Sequence, residues 1–179
     1  MSEINNRRQD RPASADFGRV ATTICEQAIN DAKQQLHPLM RDAALHVLRK
    51  RSDFMQAFKL ALEQRTAQTL ASWMPNIQAI FRFDESWAES RSFWDGTLHL
   101  LVKVPNVSKA LKFFASRLDE SLIYCLQQLD CSRFRKRRSI LDVQQVTPTE
   151  LRHGTSYGAM FYAVYSVPEK VWSPKRRGP

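Results

Sequence analysis

The sequence predicts an α+β fold in which N-terminal helices precede a β-β-α-β-β unit, with an antiparallel or mixed sheet packed on one long helix. Three observations predict it. Apolar residues recur at three- and four-residue spacing through residues 16–73 and again through residues 106–129. Alternating patterns, which are typical of strands, occur four times, over residues 76–83, 97–104, 139–146 and 157–167. The helical patterns are concentrated before the strands, which favours α+β over a regular α/β alternation.

The chain has 179 residues, enough for one domain with a hydrophobic core and tails. Residues 1–15 are polar and charged, and we expect a flexible basic arm because they cannot bury enough apolar area to offset the entropy of ordering. Residues 16–168 should form the single α+β domain, with a helical part at 16–73 and the sheet and long helix at 76–168. Residues 169–179 are basic and contain proline, which predicts a mobile tail.

The N-terminal part is expected to contain three helices. The first should be capped by Asp16 and continue through Gln35, before Pro38, whose missing backbone N–H breaks or kinks a helix. A second helical piece should span Leu39–Lys50, since apolar residues recur there at helical spacing. A third restarts at Ser52 and stops before Pro75, a usual position for a proline beyond a helix end.

The stretch from Asp95 to Val146 organises the rest of the chain as a tight turn, a strand, a long helix, a basic run and a second strand. Its first strand has one apolar face, formed by Leu98, Leu100, Val102 and Val104. Asn106 is a suitable residue to cap the helix that follows. The centre of the apolar stripe of this helix, which we expect to be buried against the sheet, is formed by Phe114, Leu118 and Leu122.

Two further segments leave structural alternatives open. The polar connection 84–95 carries three large aromatic residues, and it either packs them as a compact loop or contains a short helix. The strand predicted over residues 157–167 is apolar or aromatic on both faces. It should therefore be covered on both sides or pack against the N-terminal helices.

The cysteine pattern and the hydropathy of the sequence both bear on the cellular compartment of the protein. The N-terminus has no apolar core of a secretory signal, and no run of about eighteen apolar residues occurs, so neither secretion nor a membrane span is expected. The cysteines, Cys25, Cys125 and Cys131, are odd in number and widely spaced, with no CxxC pair. We therefore expect three reduced thiols in a cytoplasmic protein.

Motifs for catalysis, metal binding and cofactor binding are missing from the sequence. The four histidines are scattered, without HExxH or zinc-finger spacing, and the five glycines form neither GxGxxG nor a P-loop. A nuclease-type metal site fails because Leu101 occupies the position, two residues before Lys103, where a carboxylate is needed. Asp119 and Glu120 are expected to be ordinary solvated carboxylates. The sequence thus favours a protein that is not an enzyme and holds no cofactor or metal.

The strongest functional signal is the basic run, residues 133–138, which has five cations in six residues. These cations are Arg133, Arg135, Lys136, Arg137 and Arg138. A helix C-terminus and a strand edge need about two of them, so the remainder should be exposed to water or an anion. Arg forks suit phosphate oxygens. Phe134, within the run, offers its face to a base or to the core. Lys103, Lys109 and Lys112 would extend this nucleic-acid-binding set if they share its surface.

The central stretch resembles the DciA-type family, whose members bind and help load the bacterial replicative helicase. Residues 95–104 match the strand motif of that family, the apolar residues of the long helix match its helix, and Trp73 fits before the first strand, which together cover about 70 residues. The resemblance implies a KH-like domain of order α-β-β-α-β and a replicative helicase as partner. The chain departs from the family at residues 107–110, which lack a Trp-Ala pair, and it has no GxxG loop.

These observations favour a non-enzymatic nucleic-acid-binding accessory protein, such as a DNA replication or processing factor. The net charge of +9 supports a polyanionic partner. The first alternative is a protein-interaction adaptor whose basic face docks on an acidic partner. The second is an enzyme whose site is assembled from residues too scattered in sequence to recognise.

Overall fold

The computed structural model describes residues 14–83, 96–129, 134–163 and 167–174. The α-helices in these ranges are α1 (Ser14–Gln35), α2 (Leu45–Leu48), α3 (Ser52–Trp73), α4 (Lys109–Gln128) and α5 (Pro148–His153). The strands are β1 (Ala79–Arg82), β2 (Leu98–Lys103), β3 (Leu141–Val146) and β4 (Glu169–Trp172). The predicted arm before Ser14, the aromatic connection 84–95 and residues 175–179 of the tail lie outside the described residues.

The four strands form one mixed sheet in the order β3-β2-β1-β4. β1 is antiparallel to both β2 and β4, with Phe81 opposite Leu101. β2 is parallel to β3, with Leu100 opposite Val143, and α4 is the connection between them. The predicted class, α+β with N-terminal helices and a mixed sheet packed on a long helix, is confirmed.

The main hydrophobic core lies between one face of the sheet and helices α1, α3 and α4. Alternation along β2 directs Leu98, Leu100 and Val102 into this core, as the sequence predicts. The three residues predicted to centre the long helix, Phe114, Leu118 and Leu122, are buried there. The helices are joined by an aromatic cluster in which the Phe17 ring lies 5.3 Å from Trp73 and 6.1 Å from Phe114.

A second, smaller core covers the opposite face of the sheet. Phe83, Leu101 and Val146 are buried there beneath Leu151, Met160 and Phe161 of α5 and the following 3-10 helix. The rings of Phe81 and Phe161 meet edge to face, 4.8 Å apart. This cover allows β2 to be apolar on both of its faces.

The strand predicted over 157–167 is wrong, because residues Ser156–Tyr162 form a 3-10 helix. Gly158 lies so close to α5 that a Cβ atom there would be 2.1 Å from the carbonyl oxygen of Glu150. This close approach requires glycine, and it turns the apolar residues of the segment towards the second core instead of into a strand. The described part of the segment therefore packs over the sheet, not against the N-terminal helices.

The fourth strand, β4, lies in residues that the sequence assigns to the basic tail, so the tail prediction is wrong for residues 169–172. Two long-range polar contacts hold it in place. Arg82 Nε donates to Glu169 Oε2 at 3.0 Å, and Gln64 Nε2 of α3 donates to the Val171 carbonyl at 2.9 Å. Neither contact leaves a periodic signal in the local sequence.

The helix predicted over Leu39–Lys50 is also wrong. The chain there makes a 3-10 turn at Pro38–Met40 and the single helical turn of α2. The guanidinium of Arg41 folds back and donates to the carbonyls of Gln34 and Leu36, which satisfies the end of α1. Leu39 is consequently 84% exposed, although it fits the helical spacing.

The cap of α4 differs from the expected one. The N-cap is Ser108, whose Oγ accepts the N–H of Leu111 at 3.2 Å, and Asn106 lies before the helix. The side-chain amide of Gln145 on β3 fixes this cap, since it accepts the Ser108 N–H at 2.7 Å and donates to the Ser108 carbonyl at 3.0 Å. The start of α4 is thus tied to the strand that follows its end.

We predict that Leu118→Ala lowers the free energy of unfolding by about 2–5 kcal/mol, because it removes buried methyl groups and leaves a cavity between α4 and the sheet. Ser116→Ala is the control on the same helix, since Ser116 is exposed, and its effect should stay within about 0.5 kcal/mol. Urea denaturation followed by circular dichroism measures both. Equal midpoints for Leu118→Ala and the parent would contradict the burial of this residue.

Candidate nucleic-acid interface

The described part of the basic run begins with a buried anchor, Phe134. Its side chain is fully buried in the main core, beside Phe54 and Phe58 of α3 and Leu126 of α4. Its carbonyl accepts a hydrogen bond from Gln127 Nε2 at 3.2 Å. Of the two roles open to Phe134 from the sequence, the structure places it in the core, so the ring is not available to stack on a base.

Arg137 also has a structural role in the run. Its side chain is half-buried, and Nη1 donates to Thr97 Oγ1 at 2.8 Å just before β2. It packs on Gly96, where φ is +96° and a Cβ atom would lie 2.9 Å from Arg137 Nε. Glycine is favoured at this position by both the backbone conformation and the close guanidinium.

The far end of the run is held by Asp119 of α4. Its Oδ1 accepts the backbone N–H groups of Ile140 and Leu141, both at 2.8 Å. Asp119 is 9% exposed, so the expectation that it is a solvated carboxylate is wrong. For Glu120 the expectation is confirmed, because this carboxylate is exposed and pairs with Arg117 on the same helix.

Between these anchors the turn presents Arg135, Lys136 and Arg138 to solvent. Phe134 fixes one side of the turn and Asp119 fixes the backbone where β3 begins. Arg133, the remaining cation of the predicted set, lies outside the described residues. The exposed cations are therefore carried by a segment whose two ends are fixed to α4 and to the core.

Sequence reasoning missed a second basic segment, Arg49–Arg51, which lies at the same end of the domain. Arg49 Nη1 donates to the Leu129 carbonyl at the C-terminus of α4, at 3.0 Å, and Arg49 lines the same cavity as Phe134. Lys50 is exposed beside it. Three consecutive cations before α3 mark this segment in the sequence. The sequence alone does not show that Arg49 lies beside Phe134 of the basic run.

We name this surface the basic end, formed by Arg49, Lys50, Arg51, Arg135, Lys136, Arg137 and Arg138. Asp53 is an acid at its border, where both carboxylate oxygens accept hydrogen bonds from Arg51 at 3.0 and 2.7 Å. The Arg51 guanidinium holds the pKa of this exposed carboxyl below its usual range. Asp53 is thus ionised at neutral pH and neutralises one cation of the basic end.

The structure does not bring Lys103, Lys109 and Lys112 to the basic end. Lys109 and Lys112 lie in the first turn of α4, and the basic end lies at its C-terminus. A helix of 20 residues is about 30 Å long, which separates the two groups by that distance. Lys103 shares the face of β2 that carries Leu101, so it lies on the opposite side of the sheet from α4.

The exposed face of α4 extends from Lys109 and Lys112 at the start of the helix to the basic end at its C-terminus. Lys109, Lys112 and Phe113 lie at its start, and Tyr124 lies near its end. The rings of Phe113 and Tyr124 are 59% and 65% exposed. Helical spacing places these residues along one side of the helix, and the Arg117–Glu120 ion pair lies between the cations at its start and Tyr124.

Comparisons of the chain with protein-family models, with curated proteins and with solved structures find no match. Within the described ranges, no group of three or more His, Cys, Asp or Glu side chains is arranged to hold a metal ion. No helix of the described chain is both long and apolar enough to cross a membrane.

His99, half-buried on the second face of the sheet, pairs with Asp142 at 3.2 Å.

We predict that Asp119→Ala lowers the free energy of unfolding by about 2–6 kcal/mol, since each of two buried N–H groups loses its acceptor at about 1–3 kcal/mol. Asp119→Asn retains one acceptor oxygen and should fall between that variant and the parent. The control is Glu120→Ala, which removes only a surface ion pair worth about 0–1 kcal/mol. Chemical denaturation of the three variants tests the order. Similar values for Asp119→Ala and Glu120→Ala would contradict the anchoring role.

Proposed function

We propose that this protein is a non-enzymatic nucleic-acid-binding accessory factor whose basic end contacts phosphates. The observation that carries the proposal is the exposure of Arg135, Lys136 and Arg138 on a turn anchored at both ends. Guanidinium groups match phosphate oxygens with two parallel hydrogen bonds, and lysine adds a point charge. The proposed ligand is therefore the sugar-phosphate backbone, without base-specific readout at this surface.

The cations of the basic end exceed what the fold uses. The negative end of the α4 dipole attracts cations, and Arg49 meets it directly at the Leu129 carbonyl. Arg137 serves the turn at Gly96 and Thr97, and Arg51 pairs with Asp53. Lys136 and Arg138 are exposed, and helix capping does not require them. Their concentration at one end of the domain favours a polyanion.

The exposed face of α4 supports an extension of the same site. Lys109 and Lys112 provide further phosphate contacts, and Phe113 and Tyr124 provide rings on which unpaired bases stack. A single strand of nucleic acid that follows α4 would meet both ends of this face. Lys103, on the other side of the sheet, does not belong to that path.

A role in DNA replication or processing is the biological form of this proposal. The elements α3, β1, β2, α4 and β3 follow the order α-β-β-α-β that the DciA-type resemblance implies. That order supports an accessory function beside a replicative helicase, in the cytoplasm. The free thiols Cys25 and Cys125 suit the reducing conditions of that compartment.

The competing function is an adaptor that docks on an acidic protein. The exposed rings of Phe113 and Tyr124 favour it, because aromatic residues are also enriched at the centres of protein interfaces. The two functions differ in whether a nucleic acid alone suffices as ligand. Binding to random-sequence oligonucleotides separates them.

We predict that the double substitution Lys136→Ala and Arg138→Ala weakens binding to fluorescent oligonucleotides of every sequence. The salt dependence of the binding constant should fall by about two units of slope, one for each lost phosphate contact. Fluorescence anisotropy with single- and double-stranded DNA and RNA, over a salt series, measures this. Thermal unfolding should be nearly unchanged, since both side chains are exposed.

The matched control is Arg152→Ala with Lys170→Ala, which removes two exposed cations from α5 and β4, elements that contribute no residue to the basic end. It should retain the affinity and the salt slope of the parent much more closely. Lys109→Ala with Lys112→Ala reports whether the contact continues along α4. Equal losses from the control and from the basic-end variant would show a non-specific charge effect. A parent chain that binds no oligonucleotide at low salt would overturn the proposal and favour the adaptor.

A further inference from the structure

Two cysteines from distant parts of the sequence meet between α1 and α4. Cys25 is buried on α1, and Cys125 is half-buried in the last two turns of α4. Both are free thiols, and Cys125 packs against the core cluster that contains Cys25. The hydroxyl of Thr22, one helical turn before Cys25, lies 3.5 Å from the Cys125 sulfur.

We propose that Cys25 and Cys125 are a peroxide-reactive pair that closes a reversible disulfide between α1 and α4. This site is independent of the proposed nucleic-acid contacts. The substrate class is a hydroperoxide, with hydrogen peroxide as its simplest member. Cys125 is the sulfur that reacts first, and Cys25 is the sulfur that resolves the product.

The environments of the two thiols assign these roles. The interaction with Cys25 lowers the pKa of Cys125 to about 6, against the opposing effects of burial and of the Glu26 charge. The hydrogen bond to Cys125 and burial raise the pKa of Cys25 well above its ordinary value. Cys125 is therefore the more accessible thiolate, and Cys25 is the protonated partner. Accessible thiolates of low pKa beside a second thiol are the usual peroxide-sensitive cysteines.

The reaction balances in two steps. The Cys125 thiolate attacks one oxygen of the hydroperoxide, the O–O bond breaks, and the leaving oxygen takes a proton. Cys125 is thereby oxidised to the sulfenic acid while the peroxide is reduced. Cys25 then attacks the Cys125 sulfur, the S–S bond forms, the S–O bond breaks, and water leaves with the proton of Cys25. A small thiol reverses the bond by exchange.

The packing of α1 keeps the two sulfurs together without a covalent bond. Ala21, Ala28 and Ala32 of α1 are fully buried, which permits close approach of the neighbouring helices. Phe17 contacts Phe114 nearer the start of α4, so α1 and α4 are joined at more than one level. The alternative is that both cysteines serve only as small apolar side chains that pack in the core. Reactivity distinguishes the two roles.

The test uses the full chain with Cys131→Ser, so that only the proposed pair can react. The protein is treated with equimolar hydrogen peroxide at neutral pH, then alkylated under denaturing, non-reducing conditions and measured by mass spectrometry. We expect both thiols to disappear together, with the mass lowered by two hydrogens. Trypsin should release peptide 20–33 linked to peptide 118–133, and dithiothreitol should separate them. The oxidised protein should melt at a higher temperature, because the bond constrains the unfolded chain.

Single variants in the same background separate the roles. With Cys25→Ala, Cys125 should stop at the sulfenic acid, which a cyclic 1,3-diketone traps, while circular dichroism reports that the fold is retained. With Cys125→Ala, Cys25 should react much more slowly than Cys125 does. In urea, the rate of disulfide formation should fall, since folding no longer holds the sulfurs together. Two free thiols after peroxide treatment, or a disulfide that forms as fast in urea, would overturn the proposal.

Discussion

The arrangement of α4, the basic run and β3 depends on the buried carboxylate of Asp119. Burial of a carboxyl group is unfavourable unless donors meet its oxygens, and here the N–H groups of Ile140 and Leu141 do so at 2.8 Å. The carbonyl of Ile140 in turn accepts the N–H of Leu98, which begins the parallel pairing of β2 with β3. Asp119 thus determines where β3 starts, and it leaves the preceding residues as a turn outside the sheet.

This placement explains how a cation-rich segment is tolerated beside a hydrophobic core. Several cations in succession repel one another, and the energy is lowest when water surrounds them. Burial of Phe134 contributes about 1.5–3 kcal/mol of hydrophobic stabilisation, which offsets part of that repulsion. Alternating anchors and charges result: Phe134 faces inward, Arg135 and Lys136 face outward, and Arg137 turns to Thr97. In this run the phenylalanine therefore attaches the segment to the core, while the cations beside it remain exposed to solvent.

Periodic elements could be predicted from the sequence, and long-range polar contacts could not. The stripe of α4 and the apolar face of β2 are visible because burial on one side repeats at a fixed interval. Asp119 has no such signal, since a carboxylate beside Glu120 resembles a solvated one until its two donors are known. The exposed cations of the basic run were predictable as a cluster, but the placement of Arg49 beside Phe134 of that run depends on the fold. Residues 157–162 alternate like a strand, yet Gly158 and α5 direct them into a 3-10 helix.

The anchoring of the basic end would affect how tightly the proposed polyanionic ligand binds. Since Phe134 and Asp119 already fix the turn, a polyanion that binds there loses less free energy to ordering of the protein backbone than it would on a flexible tail. The same ligand also relieves the mutual repulsion of cations that folding has placed together. A ligand that binds only the folded chain stabilises it in proportion to the logarithm of its concentration. Under the proposed function, assembly of Arg49, Lys50 and the run at one end of α4 would couple the stability of this domain to its polyanionic ligand, and added salt would weaken that coupling by screening.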